Sequence, residues 1–172
     1  MTDDAVASVV TTAGATRVHI PIHLRWGDLD ALGHVNNTSM LKLLEEARLR
    51  AFWKPEAGLA GPTTAILDAL NLSAETMTLI ARQEIEYLLP VPYGQRPLEV
   101  QMWIGRMGGS SIDVCYEVFS PRGDDPQVCY ARSTAVVVMV STSSGRPVRL
   151  SDEMRAAWTP IVGDPISYSH RR

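Results

Sequence analysis

Asp28-Leu29-Asp30-Ala31-Leu32-Gly33-His34-Val35-Asn36-Asn37 separates an alternating apolar run from Thr38–Lys54, which contains neither glycine nor proline. These residues gather two carboxylates, a glycine, an imidazole and two amides where a strand gives way to a helix. The first turn of a helix leaves its N–H groups unpaired, so such a junction can aim free amide donors and a carboxylate at one point. In outline that is an arrangement for acyl transfer.

Upstream, Val18, Ile20, Ile22 and Leu24 alternate with His19, Pro21, His23 and Arg25, the period of a strand with one buried face. Pro21 cannot donate to a ladder, which predicts an edge strand or a bulge. Downstream, Met40, Leu44, Ala47 and Ala51 fall at helical spacing, and Leu43 and Phe52 widen the stripe. This predicts a helix of about four to five turns, capped from Asn36, Asn37 or Thr38. Pro55–Ser73 is a connector, with a short helical piece expected over Thr63–Leu70.

Four strands follow. Thr76–Leu89 sets Leu79, Ala81, Ile85, Tyr87 and Leu89 against Arg82, Glu84 and Glu86. Leu98, Val100, Met102 and Ile104 mark the second, stopped at Met107-Gly108-Gly109-Ser110, and Ile112, Val114, Tyr116 and Val118 the third. Gln127–Ser141 is apolar on both faces over Ala135–Val140, as a central strand is. A short helix over Asp152–Trp158 has Ser151 as its N-cap, with Asp152 and Glu153 suited to its dipole. The order predicts an α+β domain: a curved antiparallel sheet of about five strands wrapped around one long central helix. Residues 1–16 are expected as a disordered arm, 17–160 as a single domain and 161–172 as a loose tail.

A chain of 172 residues can bury a full core as one domain. With 45% hydrophobic and 20% charged residues the composition is that of a soluble globular protein. A net charge of −3 leaves no global basic field for nucleic acid or an anionic membrane. No run reaches the ~18 apolar residues of a membrane span, and the N-terminus lacks the features of a signal peptide. A cytoplasmic location is therefore expected. Cys115 and Cys129 are too few for a disulfide framework or a zinc site and are expected as small core residues on strands. Asp28 and Asp30 have no further ligand cluster beside them, so no metal site is expected.

Taken in order, Arg25-Trp26-Gly27-Asp28-Leu29-Asp30, Gly33-His34-Val35-Asn36-Asn37 and Glu46-Ala47-Arg48 resemble the hotdog-fold thioesterases. Glu86-Tyr87-Leu88-Leu89-Pro90-Val91 and Arg106-Met107-Gly108-Gly109-Ser110-Ser111 extend the likeness, which runs from about Arg17 to Trp158. It is nearest the branch of 4-hydroxybenzoyl-CoA thioesterase and the bacterial acyl-CoA thioesterases. The resemblance implies a hotdog domain that hydrolyses an acyl-CoA thioester to free acid and CoA, as in fatty acid metabolism. The alternatives are a thioesterase acting on acyl-carrier-protein substrates and a non-hydrolytic module that binds acyl-CoA. It places the catalytic carboxylate on Asp30, as nucleophile or general base, and the oxyanion donor on the Asn37 N–H. His34 stands where related plant enzymes have a helper histidine. Gly33 and Asn36 fall on the substrate-binding loop; Arg106, Gly108, Gly109 and Ser110 fall where the family holds the pantetheine arm and nucleotide. No metal or redox cofactor is implied, CoA being part of the substrate. A homodimer or homotetramer is implied, its sheets joined at their edges. Met40, Leu32 and Ser39 depart from the usual family residues.

Simpler roles stay open at this level. Asp30 could cap the strand exit; Asp28, two residues away, faces the opposite side and is expected to be structural. His34 could organise the loop, and the side chains of Asn36 and Asn37 could be caps. Glu45 and Glu46 are reserve carboxylates, while Arg82, Arg132 and Arg146 are weaker candidates for the phosphates of CoA.

Overall fold

The computed structural model describes residues 6–12, 15–68 and 75–169. Strands β1 (Ser8–Thr12), β2 (Ala15–Ile22), β3 (Thr76–Tyr87), β4 (Leu98–Met107), β5 (Ser111–Phe119) and β6 (Cys129–Ser141) form one antiparallel sheet. Its order is β1-β2-β4-β5-β6-β3. Between β2 and β3 runs helix α1 (Asn37–Phe52), and α2 (Asp152–Trp158) follows the sheet.

Period-two alternation decides which face of the curved sheet is covered. Val18 and Ile20 of β2, Val100 and Met102 of β4, Val114 and Tyr116 of β5 and Ala135 of β6 all turn to one side and are buried. Against them α1 sets Met40, Leu43, Leu44, Ala47, Ala51 and Phe52. Each large aliphatic side chain so covered contributes about 1.5–3 kcal/mol. Arg48 shares this stripe at 6% exposure, and its Nη1 donates to Tyr116 Oη at 3.1 Å. Burial pushes the Tyr116 hydroxyl upward against the opposing effect of Arg48, so the phenol stays neutral and accepts that bond.

The helix starts where the sequence places it and ends at Phe52, two residues before Lys54. Trp53 is already extended, with φ −91° and ψ 139°, and the restriction that Pro55 places on Lys54 keeps the chain from resuming the helix. The expected helical piece over Thr63–Leu70 is instead a turn followed by extended chain. Leu67 forms a parallel bridge with Trp53, and its N–H donates to Phe52 O at 2.9 Å. Residues 69 and 70 lie outside the described residues.

The N-terminal arm is the first correction. Ser8–Thr12 is a sixth strand, paired with β2 from Ser8↔His19 to Thr12↔Ala15, so β2 is not an edge. Pro21 is accommodated because β1 stops opposite His19 and leaves it open on that side. The tail is the second correction. Beyond Ile161 it crosses the outer face of the sheet: Gly163 N–H donates to Ile104 O at 2.9 Å, and Trp103 Nε1 donates to Asp164 O at 2.7 Å. Tyr168 Oη meets Thr134 Oγ1 at 2.7 Å, and Ser169 N–H donates to Glu86 Oε1 at 3.2 Å. Gly105 permits the crossing, since a Cβ there would stand 2.7 Å from Cys115 Sγ and 3.0 Å from Pro165 Cα. Cys115 is thus buried under the tail rather than in the main core, and Cys129 is half-buried.

The other edge, β3, departs from the expected pattern. A bulge between Ile80 and Arg82 shifts its register, and Met77, Leu79, Ile80 and Tyr87 stay more than 40% exposed. β6 lies between β5 and β3, the interior place that its two-sided apolar run predicts.

Candidate active site

The Asp28–Asn37 loop is held by its own polar groups. Asp28 Oδ2 accepts from the Arg25 N–H at 2.7 Å, closing a short 3-10 turn over Trp26–Asp28. Its carbonyl accepts from the Asn36 N–H at 2.8 Å, and Leu29 bridges Val35, so the chain doubles back on itself. Gly33 sits at the tip with φ +78°, a conformation that costs glycine little. These bonds give Asp28 the structural role expected of it.

Asp30 is the hub of the turn. Its N–H donates to His34 O at 2.8 Å, and its Oδ1 accepts from Leu32 N–H at 2.8 Å and from His34 N–H at 3.3 Å. One carboxylate oxygen thereby fixes the side chain. Asn36 is the N-cap of α1: its Oδ1 accepts from Thr38 N–H at 2.9 Å and from Thr38 Oγ1 at 2.7 Å. Asn37 Oδ1 also accepts from Thr38 N–H, at 2.9 Å. Asn37 is the first helical residue, so its N–H has no carbonyl within the helix to meet. The asparagine side chains are caps, and the Asn37 N–H is left without a partner inside the helix.

Asp30, His34, Asn36 and Asn37 line one open cleft with Met40, Tyr87 and the Leu88–Val91 segment. The opposite wall is anchored to the loop, since Val35 N–H donates to Val91 O at 3.0 Å and His34 bridges Pro92. Carboxylate, imidazole and the positive end of a 16-residue helix thus face the same space. Gly33 shapes the loop without lining the cleft.

Arg106, Gly108, Gly109 and Ser110 stand elsewhere, at the β4–β5 hairpin, and none lines this cleft. Their backbone is already engaged. Arg155 Nη2 donates to Gly108 O at 2.8 Å, Leu150 N–H donates to Gly109 O and Met139 N–H donates to Ser110 O, each at 2.9 Å. Glu46 is tied to Arg50 at 2.8 Å on the helix surface and Glu45 is 62% exposed, so neither reserve carboxylate reaches the cleft. Among the described residues no three His, Cys, Asp or Glu side chains are grouped to hold a metal ion. Nor does any described helix have the length and apolarity to cross a membrane.

The sequence profile of the thioesterase-like superfamily matches residues 24–158. The chain belongs to that superfamily. Among its relatives, the YsmA protein of Bacillus subtilis strain 168 is 29% identical over 133 residues, 77% of this chain and 78% of YsmA. A crystal structure of a Pseudomonas aeruginosa protein superimposes with a TM-score of 0.65 at 26% identity, covering 84% of this chain and 90% of that one. A Thermus thermophilus thioesterase, crystallised with coenzyme A and zinc, superimposes with a TM-score of 0.62 at 26% identity, over 86% and 96% of the two chains.

One cleft residue of this thioesterase-superfamily chain escaped the sequence reading. Tyr87 ends β3, and its Oη donates to the Asn37 carbonyl at 3.2 Å, tying the edge strand to the helix start. Desolvation pushes this phenol upward, keeping it a neutral donor. Its place in an alternating strand made it look like one more apolar residue; the Pro90-Val91-Pro92 turn just beyond it was the available signal. Tyr87→Phe is expected to lower stability by about 0.5–1.5 kcal/mol, read as a lower urea midpoint. An unchanged midpoint would show that water replaces the bond without loss.

Proposed function

We propose that this protein hydrolyses acyl-CoA thioesters, with Asp30 as the reacting carboxylate and the Asn37 N–H as oxyanion donor. The observation that carries the reading is the cleft in which Asp30 and the start of α1 meet. Attack on a thioester carbonyl places negative charge on its oxygen, and a preorganised helix N–H stabilises that charge; one such donor is worth roughly 3–4 kcal/mol of barrier. Because Oδ1 holds the loop, Oδ2 is the oxygen free to act. Two routes use it. As a general base it takes a proton from water while the water oxygen bonds to the acyl carbon and the C–S bond breaks. As a nucleophile it forms a mixed anhydride, expelling the thiolate, and water then hydrolyses the anhydride. Both release free acid and CoA thiol.

The bound coenzyme A of the Thermus relative supports CoA as the carrier. His34 lines the cleft together with Asp30, which makes it a candidate to contact the substrate or its water. Thiol release from a panel of acyl-CoAs tests the reading, and a protein that binds these thioesters without cleaving any is a binding module instead. Preference for the same acyl groups on a carrier protein would reassign the substrate.

The cleft is walled by the end of β3, an edge strand with an exposed apolar flank. Unpaired edges of this kind recruit another strand, and we read β3 as the seam of a homodimer. Sedimentation at twice the chain mass is expected, and Ile80→Lys, placing a charge on the seam, is expected to yield monomer. A wild-type monomer that still turns over substrate would overturn this assembly.

A further inference from the structure

The Asp30 cleft has an inner end as well as a mouth, and the two ends receive different halves of a substrate. On the thioesterase reading, on which this inference rests, the carbonyl oxygen lies at the Asn37 N–H and the carbonyl carbon near Asp30. The sulfur substituent carries the whole of coenzyme A, which is large and charged and lies toward solvent at the mouth. The acyl substituent points the other way, and the inner lining that it meets is apolar: Val35, Met40 and Val91. Met40 is 1% exposed and Val91 4%.

Met40 closes that inner end. It lines the cleft and also belongs to the packed core, so a single side chain stands between the two. Its N–H donates to the Asn36 carbonyl at 2.9 Å, the first bond of the α1 ladder, which fixes its backbone one turn in from Asn37. Behind it on the same stripe Leu43 is 4% exposed, and Leu44 and Ala47 are fully buried. Methionine is unbranched and adaptable, but these packed neighbours limit how far it can swing. From Asn37 to Met40 the helix rises about 4.5 Å, while an extended chain advances about 1.2 Å per bond. Helical side chains lean toward the helix start, so Met40 shortens the space further.

We propose that Met40 gauges the length of the acyl group and that the protein selects short-chain thioesters of the butyryl class. An acyl chain laid inward along α1 reaches the Met40 side chain after roughly four carbons. A longer chain has to displace a core side chain or turn back past the exposed Leu88 and Leu89 into water, and either course weakens its hold in the transition state. The small apolar cavity lined by Arg48 and Phe52 lies about two turns further along α1 and offers no room at Met40.

Thiol release by the full chain from a series running from acetyl- to dodecanoyl-CoA tests the proposal. Wild type is expected to favour butyryl- over octanoyl-CoA in kcat/KM by about tenfold or more. Met40→Ala is expected to raise the octanoyl-to-butyryl ratio about tenfold, at roughly fourfold for each methylene newly covered. Met40→Val is expected to shift the ratio the same way by less, and carries the result if Met40→Ala fails to fold. Met139→Ala makes the same truncation at the far cavity, beside Phe52 and Trp158, and is expected to leave the ratio where it was, which a general loosening of the core would not. Equal or better use of octanoyl-CoA by wild type, a wild-type ratio in the folded Met40 variants, or the same shift in Met139→Ala would each overturn the assignment. Release from none of the thioesters would overturn the thioesterase reading itself, and this one with it.

Discussion

Asp30→Asn is expected to lower thioester turnover by roughly 10²–10⁴-fold, the range typical for loss of a positioned base, with stability almost unchanged. The substitution is nearly isosteric. The amide oxygen can still accept from the Leu32 and His34 N–H groups, so the loop keeps its bonds. The atom replacing Oδ2 is an NH2, which can neither take a proton from water nor attack a carbonyl. Selective loss of activity is thus the signature of chemistry rather than of loop collapse. Turnover close to wild type in Asp30→Asn would remove the carboxylate from the mechanism, since among the described residues Asp30 is the one acid that lines the cleft. Single turnover in oxygen-18 water separates the two routes: label entering Asp30 marks the nucleophile, label confined to the product acid marks the base.

The largest loss of stability is expected from Trp158→Ala, about 3–5 kcal/mol as for other buried aromatic truncations, read from urea unfolding by far-ultraviolet circular dichroism. Trp158 is 1% exposed and its ring lies 5.1 Å from that of Phe52 at a 48° tilt. Its Nε1 donates to Thr64 O at 3.0 Å, and Thr64 Oγ1 donates in turn to Ala51 O at 2.6 Å. One indole therefore joins α2, the 55–68 connector and the C-terminal end of α1. Truncation opens a void beside a small apolar cavity already lined by Phe52, Leu67, Ile112 and Trp158, and leaves the Thr64 carbonyl unpaired. Trp158→Phe is expected to lose less, because the ring still packs and only the donor is gone. Equal losses in the two variants would mean that the hydrogen bond, not the packing, is the main contribution.

Residues whose roles depend on neighbours in sequence were legible from the chain. Asn36 caps α1, Ser151 caps α2 with its Oγ accepting from Met154 N–H at 3.2 Å, and Asp30 governs its own turn. What escaped depends on distant partners. Ser8–Thr12 is short and rich in valine and threonine, and becomes a strand because β2 offers it an open edge. The 162–169 segment has no periodicity; its order comes from Trp103, Thr134 and Glu86 on three other strands. Thr63–Leu70 has helical composition, yet the Trp158 indole holds the Thr64 carbonyl, and the Phe52 carbonyl and Lys54 N–H hold the amide and carbonyl of Leu67, from outside. Arg106 and Gly108–Ser110 are placed on the pantetheine arm and nucleotide by analogy alone, and in one chain the β4–β5 hairpin stands apart from the Asp30 cleft.

The pairing of β3 also sets a timetable for synthesis. Within the chain β3 joins only β6, from Thr76↔Ser141 to Tyr87↔Ala131, and β6 is the last strand to be made. At about 5–20 residues per second, a nascent chain holds β3 without its partner for several seconds. During that interval Met77, Leu79 and Ile80 meet solvent beside an unsatisfied backbone on both flanks. Until β6 emerges, β3 is thus an unpaired apolar strand, the kind of feature that makes folding intermediates prone to aggregate.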